Sequence, residues 1–224
     1  MMERAEHPSP ALQRTFGNAL MAIAGWVDAA GFILFGQLYV SFMSGDATQL
    51  GLLIGGSNWW LAGKFFAAQL LFVFGAGLGR YVRLRRPEKG RRRTLWINVV
   101  LLAAVAILGT TWLAIPAFVL AVVAMGSQNA IMTHEVDVPI GTMVTGALAR
   151  LGEAIAARLL GRPGEIRINL AQWFFFVLGA VGGGVSFMAM GASSFWVPAV
   201  ASGLLLPLAT RLPTMIEKPT ATLA

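Results

Sequence analysis

The stretch MSGDATQLG, residues 43–51, places a serine, an aspartate, a threonine and a glutamine inside an otherwise apolar chain. A second stretch, VTGALARLG at residues 144–152, repeats its order of a hydroxyl residue, a glycine and a closing Leu-Gly after a shift of 101 residues. Irregular polar segments survive at membrane depth only where protein or a watery cavity surrounds them. The two stretches therefore predict two related polar elements that face the interior of a membrane protein.

The composition is that of a protein that crosses a membrane several times. The chain has 224 residues, of which 57% are apolar and 12% charged, against about 25% charged in soluble domains. Apolar runs of about twenty residues, the length that crosses about 30 Å of hydrocarbon, recur throughout. The lipid bilayer is thus the first predicted partner. Because there is no cysteine, and His7 and His134 lie far apart in sequence, we expect no disulfide, metal site or other cofactor.

Six segments are long and apolar enough to span, and two more are helix-like but are predicted not to cross. The segment 44–57 has 14 residues, and as a helix of about 21 Å it is too short to cross. The segment 144–160 is long enough but carries Arg150, Glu153 and Arg158, which a lipid-facing span tolerates poorly. The six predicted spans are 16–38, 61–82, 94–112, 113–133, 168–190 and 194–211.

The distribution of Lys and Arg favours six crossings over eight. Basic residues near span ends favour the cytoplasmic side, and eight of the 17 lie in the block 80–93. Eight crossings with the N-terminus inside would place eight basic residues on each side and bury Arg150 in a span. Six crossings place sixteen inside and only Lys64 outside. We therefore expect both termini in the cytoplasm.

The two halves of the chain match when one is shifted by 101 residues. The shift pairs Asp28 with Asn129 and Ser44 with Thr145. Each half then reads as a span, a short non-spanning helix and two more spans. Because three crossings per half is odd, the second half must be inverted relative to the first, an architecture common in transporters. The shift superposes identical residues at Gly25 and Gly126, Ala29 and Ala130, Gly45 and Gly146, Leu50 and Leu151, and Gly51 and Gly152.

The predicted fold is accordingly an all-α polytopic membrane protein with two inverted three-span repeats. The first repeat covers 16–112 and contains the short helix 44–57. The second covers 113–211 and contains the short helix 144–160. Terminal tails at 1–15 and 212–224 complete the predicted organisation of the 224-residue chain.

Four motifs resemble the YoaK family of bacterial inner-membrane proteins. They are AGWVDAAGF (24–32), FMSGDATQLG (42–51), GSQNA (126–130) and TMVTGALARLG (142–152). The resemblance covers most of 15–211 and implies an integral location in the bacterial inner membrane and a role in transport. At Ser44-Gly45-Asp46 this chain departs from the Thr-Gly-Asn that is usual in the family.

Two helix starts form the predicted substrate site. A helix that begins at Ser44 or Thr145 presents unpaired N–H groups and a positive dipole end, and a glycine next to each allows a ligand to come close. If inverted symmetry brings the two starts together, they form one site near the middle of the membrane. The alternative is that each start only caps and packs a helix. The predicted substrate-binding residues are Ser44, Gly45, Asp46, Gln128, Asn129, Thr145, Gly146 and Arg150.

Asp28 is the predicted proton-coupling residue. It lies near the middle of the span 16–38, with no basic residue close to it in sequence. A charged side chain there costs roughly 2.5–3.5 kcal/mol, so an intramembrane carboxylate is a functional candidate. The alternative is a protonated or hydrogen-bonded aspartate that only packs helices together. Arg150 and Glu153 lie three apart on one helix face, so a simple pair is an alternative to substrate binding there.

These features predict a transporter of a small polar or anionic solute, coupled to protons. A passive channel and a non-transporting membrane scaffold are the alternatives. An enzyme is not expected, because the sequence offers no nucleophile–base pair or metal set. The basic block 80–93 is typical of a cytoplasmic loop on anionic lipid rather than a nucleic-acid site. The pairs Gly75/Gly79 and Gly179/Gly183 favour close helix packing, inside the fold or in a homodimer.

Overall fold

The computed structural model describes residues 10–111, 113–132 and 144–212, and every regular element in those ranges is a helix. The all-α prediction is therefore confirmed for this part of the chain. A 3₁₀ turn, Gly191–Phe195, lies between the seventh and eighth α-helices. The helices are α1 (Pro10–Leu34), α2 (Met43–Gly55), α3 (Trp59–Arg85), α4 (Pro87–Leu108), α5 (Ala114–Met132), α6 (Val144–Leu159), α7 (Ile166–Met190), α8 (Trp196–Leu204) and α9 (Leu206–Arg211).

Four stretches of the described residues are long and apolar enough to cross a membrane. The last of them is 46 residues long and contains α7, the 3₁₀ turn, α8 and α9. The helix α4, which begins with a basic segment, is not in this set. The long apolar helices support the membrane class that the composition predicts. The four stretches are Ala11–Leu34, Trp59–Arg85, Ala114–Ile131 and Ile166–Arg211.

Three predicted spans differ from the helices observed, and so does the predicted loop 80–93. In place of that loop and the span 94–112, α3 continues to Arg85 and α4 extends from Pro87 to Leu108, so the basic block is helical except at Arg86. The first span was expected to reach residue 38, but α1 ends at Leu34 because Gly36 and Gln37 have positive φ values of 68° and 71°, which stop a helix. The last span was expected as one helix over 194–211, but α8 ends at Leu204 and α9 begins at Leu206. Pro207 has no N–H to donate to the preceding turn, so it favours a new helix start there.

The helices α1 and α7 pack backbone against backbone through glycines. A Cβ added to Gly179 would overlap the carbonyl oxygen of Ala22, and one added to Gly183 would overlap that of Trp26. Because the contacts advance along both helices together, α1 and α7 run in the same direction. Glycine is required at these contacts because any side chain would push the two helices apart.

The helices α3 and α5 form a second contact of the same kind. A Cβ on Gly75 would lie 2.5 Å from the carbonyl oxygen of Val123, and one on Gly79 would lie 2.7 Å from that of Ser127. The contacts again advance together, so α3 and α5 also run in the same direction. The glycine pairs singled out in the sequence thus pack helices within the chain.

The helices α1 and α5, by contrast, run in opposite directions. Near the end of α1 the Phe35 ring lies 5.2 Å from the Phe118 ring at the start of α5. Near the end of α5 the Gln128 Nε2 donates a hydrogen bond of 2.9 Å to the carbonyl oxygen of Leu20, closer to the start of α1. The first helix of each half of the chain is therefore antiparallel to the other.

Candidate functional site

A cavity of about 530 Å³ lies between α1, α7, the start of α6 and the loop that joins α1 to α2. Its volume is in the range of small-molecule pockets. Most of its wall is apolar or aromatic, and its polar side chains are those of Asp28, Tyr39 and Thr145. A few convergent polar groups in an apolar wall are typical of a site that orients a small ligand.

The Asp28 side chain is 5% exposed and holds the loop between α1 and α2. Its Oδ1 accepts hydrogen bonds from the backbone N–H groups of Val40, at 3.1 Å, and Ser41, at 2.7 Å. Its Oδ2 accepts a third from the Ser41 hydroxyl at 2.5 Å. Three donors on one carboxylate match the ionised form, which only accepts hydrogen bonds. Asp28 is thus hydrogen-bonded to a loop rather than to another helix, and the same side chain also lines the cavity.

A second carboxylate, that of Asp46 in α2, is fully buried beside the same loop. Its Oδ1 accepts a hydrogen bond of 3.2 Å from the backbone N–H of Tyr39. Its Oδ2 is buried and has no hydrogen-bond partner. Asp46 lies outside the four candidate spans, and burial raises its pKa from 3.8 to about 7; the Tyr39 N–H opposes this rise and the nearby Asp28 carboxylate adds to it.

The start of α2 is capped by backbone rather than by the predicted hydroxyl. Phe42 is the N-cap and makes no side-chain capping bond, while its carbonyl oxygen accepts from the N–H groups of Gly45 and Asp46. Ser44 is exposed in the first turn, and its carbonyl oxygen accepts from the Thr48 hydroxyl. The predicted start of α2 at Ser44 is therefore corrected by one residue to Met43, and the alternative in which the Ser44 hydroxyl caps this helix is not observed.

Gly45 is the residue of α2 that shapes the cavity wall. A Cβ at this position would overlap the Phe42 ring and lie 3.2 Å from the Tyr39 ring. Both rings line the cavity. The glycine therefore allows the two rings to pack against the first turn of α2, rather than leaving an open approach for a ligand.

The first turn of α6 and the residue that precedes α2 line the same cavity. Val144 and Thr145 in the first turn of α6 line the same wall as Phe42, the residue that precedes α2. The sequence predicted that two non-spanning helix starts would come together, and Thr145 is the predicted substrate-binding residue found in the wall. Gly146 follows in the same turn and is half-buried.

Thr145 is the one of the eight predicted substrate-binding residues that lines this cavity, and the other seven do not. Four of those seven, Ser44, Gly45, Asp46 and Gly146, lie in the first turns of α2 and α6, and the remaining three lie further away. Gln128 is buried between α4, α5 and α1, where it accepts from Asn98 and donates to Leu20. Asn129 is half-buried on α5. Arg150 donates from Nε to the Asn169 side chain at 3.1 Å and from an Nη to that of Gln172 at 3.3 Å, tying α6 to α7.

The loop residues Tyr39, Ser41 and Phe42 are the site residues that the sequence patterns did not single out. They follow the predicted first span and look like the end of an apolar run. The available signal was an intramembrane aspartate with a serine thirteen positions later, because a buried carboxylate needs hydrogen-bond donors and a loop can supply them.

Several predictions fall on residues outside the described ranges. This group contains His7, His134, the last residue of the predicted span 94–112 and most of the predicted tail 212–224. Within the described ranges, no group of three or more His, Cys, Asp or Glu side chains is placed to hold a metal ion.

Comparison with known proteins gives one family. A family described as "Protein of unknown function (DUF1275)" matches residues 16–208, which is most of the chain. No curated protein matches. No solved structure matches either.

Proposed function

The chain belongs to the DUF1275 family, and we propose that it is a transporter that moves a small polar solute across a bacterial inner membrane. The observation that carries this proposal is the cavity of about 530 Å³ at the starts of two non-spanning helices, with the Asp28 carboxylate in its wall. An acid buried within a membrane protein is costly, so its presence in a cavity wall favours a function there.

An inverted repeat is part of this proposal, and matching glycine contacts support it. A Cβ on Gly25 would overlap the carbonyl oxygen of Phe176, and one on Gly126, which is 101 residues later, would overlap that of Phe72. Contacts between α1 and α7 thus have counterparts between α3 and α5. The antiparallel arrangement of α1 and α5 is what an inverted repeat requires.

We also propose six crossings, made by α1, α3, α4, α5, α7 and the pair α8–α9, with both termini in the cytoplasm. The 13 residues of α2 extend about 20 Å and the 16 residues of α6 extend about 24 Å, so both are shorter than the hydrocarbon layer. The basic block 80–93 then lies on the cytoplasmic side, as the positive-inside rule favours.

Cysteines introduced one at a time test this topology without background labelling, because the chain has no native cysteine. An impermeant thiol reagent added to intact cells should label Ser57→Cys, at the exposed turn after α2, and should leave Lys89→Cys unlabelled until the membrane is opened. Both native side chains are exposed. Labelling of Lys89→Cys from outside would overturn the six-crossing arrangement.

The cavity wall favours a neutral or cationic solute over an anionic one. Its charged side chain is the Asp28 carboxylate, and Arg150, the cation predicted for an anionic solute, hydrogen-bonds to Asn169 and Gln172 instead. The aromatic rings that line the cavity also provide faces that attract cations. We therefore propose a small solute with hydrogen-bond donors and an apolar body.

Flux into proteoliposomes tests the transport proposal directly. Candidate amines, amides and polyols should be screened with and without a pH gradient, and a transported solute should accumulate only when the interior is alkaline. Passive equilibration without accumulation would indicate a channel. Absence of flux for every solute class would favour a scaffold.

We expect Gly45→Ala to lower flux by about tenfold, equivalent to about 1.4 kcal/mol, because the added methyl group must displace the Phe42 ring from the cavity wall. The matched control is Gly51→Ala on the same helix, where nothing lies within 4 Å of an added Cβ. Equal flux in the two variants would contradict a role for this wall.

A further inference from the structure

Two buried carboxylates hold the loop 39–41, and they are satisfied to different degrees. Asp28 accepts three hydrogen bonds, from Val40 and twice from Ser41. Asp46 accepts one, from the Tyr39 N–H, and its Oδ2 is buried without a partner. An unsatisfied buried carboxylate oxygen is costly, so this oxygen indicates that something binds there.

We propose that Asp46 is the residue that binds and releases the coupling proton, while Asp28 stays ionised and holds the loop. This assignment rests on the proposed transport function, because a coupling proton has a role only in a transporter. The proton comes from water, forms an O–H bond at the Asp46 Oδ2 and later returns to water, and no other covalent bond changes. Protonation at this oxygen breaks no hydrogen bond that is present, whereas a proton on the Asp28 Oδ2 would require the hydrogen bond with the Ser41 hydroxyl to reverse its direction.

The groups around Asp46 fit this assignment. From α1 it faces the Asp28 carboxylate, and in the loop its titratable neighbour is Tyr39. On α3, which packs against α2, Lys64 lies over the Trp60 ring at 5.5 Å from its centroid. Two like charges close together in a low-dielectric site disfavour full ionisation of both, and neutralising Asp46 removes the repulsion while the hydrogen bonds from Val40 and Ser41 to Asp28 stay in place.

Tyr39 connects the proton to the cavity. Its backbone N–H donates to Asp46, and its side chain lines the cavity wall. A hydrogen bond to an ionised carboxylate is about twice as strong as one to a neutral group. Protonation of Asp46 therefore weakens the hydrogen bond from the Tyr39 N–H. Because the Tyr39 side chain is part of the cavity wall, the protonation state of Asp46 affects the surface that a solute would touch.

Infrared difference spectroscopy tests the assignment on the full-length protein. When the pH is lowered from about 8 to about 5, the carbonyl stretch of a buried protonated carboxylic acid should appear in the wild type. It should be absent in Asp46→Asn and retained in Asp28→Asn. Glu153→Gln removes the same charge from an exposed position on α6 and should also retain it.

Loss of the band in Asp28→Asn with retention in Asp46→Asn would overturn the assignment, as would no change in either variant. The assignment would also be overturned if sodium added at constant pH produced the same spectral change as a lower pH, because the ligand would then be a metal cation. If Asp46→Asn does not fold, Asp46→Glu serves instead, and an unshifted band in that variant would count against the proposal.

Thermal stability gives a second readout with a defined sign. An acid whose pKa is raised on folding stabilises the folded state fully below its unfolded pKa, and this stabilisation is lost as the pH rises through the folded pKa. For Asp46 that window runs from 3.8 to about 7. The melting temperature of the wild type should fall across this window more than that of Asp46→Asn, with Glu153→Gln behaving like the wild type. Equal falls in all three would contradict proton binding at Asp46.

The assignment and the transport proposal can fail separately. If the protein shows the infrared band assigned to Asp46 but moves no solute, the proton site stands and the transport proposal fails. If proton-driven accumulation persists in Asp46→Asn, the transport proposal stands and the assignment of the proton to Asp46 fails.

Discussion

Gly25→Ala and Gly126→Ala should each lower the free energy of unfolding by about 3 kcal/mol, the upper range for overpacking a tight contact. An added methyl group at Gly25 meets backbone atoms of Phe176 and Ala180, and one at Gly126 meets those of Phe72 and Ala76. Backbone cannot rotate away as a side chain can, so α1 must separate from α7, or α5 from α3. Unfolding in detergent, followed by helical circular dichroism, measures the loss.

The chain provides matched controls for these two variants. Gly77 and Gly184 lie within α3 and α7, and an added Cβ at either meets nothing within 4 Å. Alanine there should be neutral or slightly stabilising, because alanine is the better helix former by about 1 kcal/mol. A small loss at Gly25 and a large loss at Gly126, or the reverse, would contradict the proposed equivalence of the two halves.

The sequence predicts the helices of this protein well for a specific physical reason. A membrane helix satisfies its own backbone hydrogen bonds and presents apolar side chains to lipid, so length and apolarity largely define it. The same reasoning identified Asp28, because a carboxylate in an apolar run has a cost that must be met. The predicted convergence of the α2 and α6 starts stays a prediction: Phe42, which precedes α2, and Thr145 line one cavity, but no residue of α2 itself is in the cavity lining.

The partners of polar side chains were not predictable in the same way. Gln128 and Arg150 had the composition of ligand-binding groups, but each hydrogen-bonds to side chains on a neighbouring helix. Their orientation depends on how the helices are rotated about their axes, and hydropathy does not determine that rotation. Ser41 was missed for the related reason that its role comes from a loop conformation rather than from a periodic pattern.

Gly45 keeps its predicted importance for the site, but the structure changes the reason for it. The sequence indicated a glycine that lets a ligand approach. The structure places the Phe42 and Tyr39 rings against it, so the space is already filled by the protein. The expected loss of function on substitution is unchanged, but its cause becomes displacement of an aromatic wall.

A graded series at Asp28 should produce the largest loss of stability among substitutions at the site. Hydrogen bonds to a charged acceptor contribute about 1.5–3 kcal/mol each, and Asp28 accepts three of them. Asp28→Ala removes all three and leaves two buried backbone N–H groups without an acceptor, so we expect it to cost about 4 kcal/mol or more. Ser41→Ala removes only the hydroxyl bond and should cost about 2 kcal/mol.

Asp28→Asn separates the charge of this residue from its geometry. The amide oxygen can still accept from Val40 and Ser41, and the amide N–H can donate to the Ser41 hydroxyl, which also accepts. We therefore expect Asp28→Asn to fall near Ser41→Ala in unfolding free energy, well above Asp28→Ala. Glu153→Ala, at an exposed position, should stay within about 0.5 kcal/mol of the wild type. If Asp28→Ala were as stable as Asp28→Asn, the loop 39–41 would not depend on this carboxylate, and Asp28 would have to be retained for the solute alone.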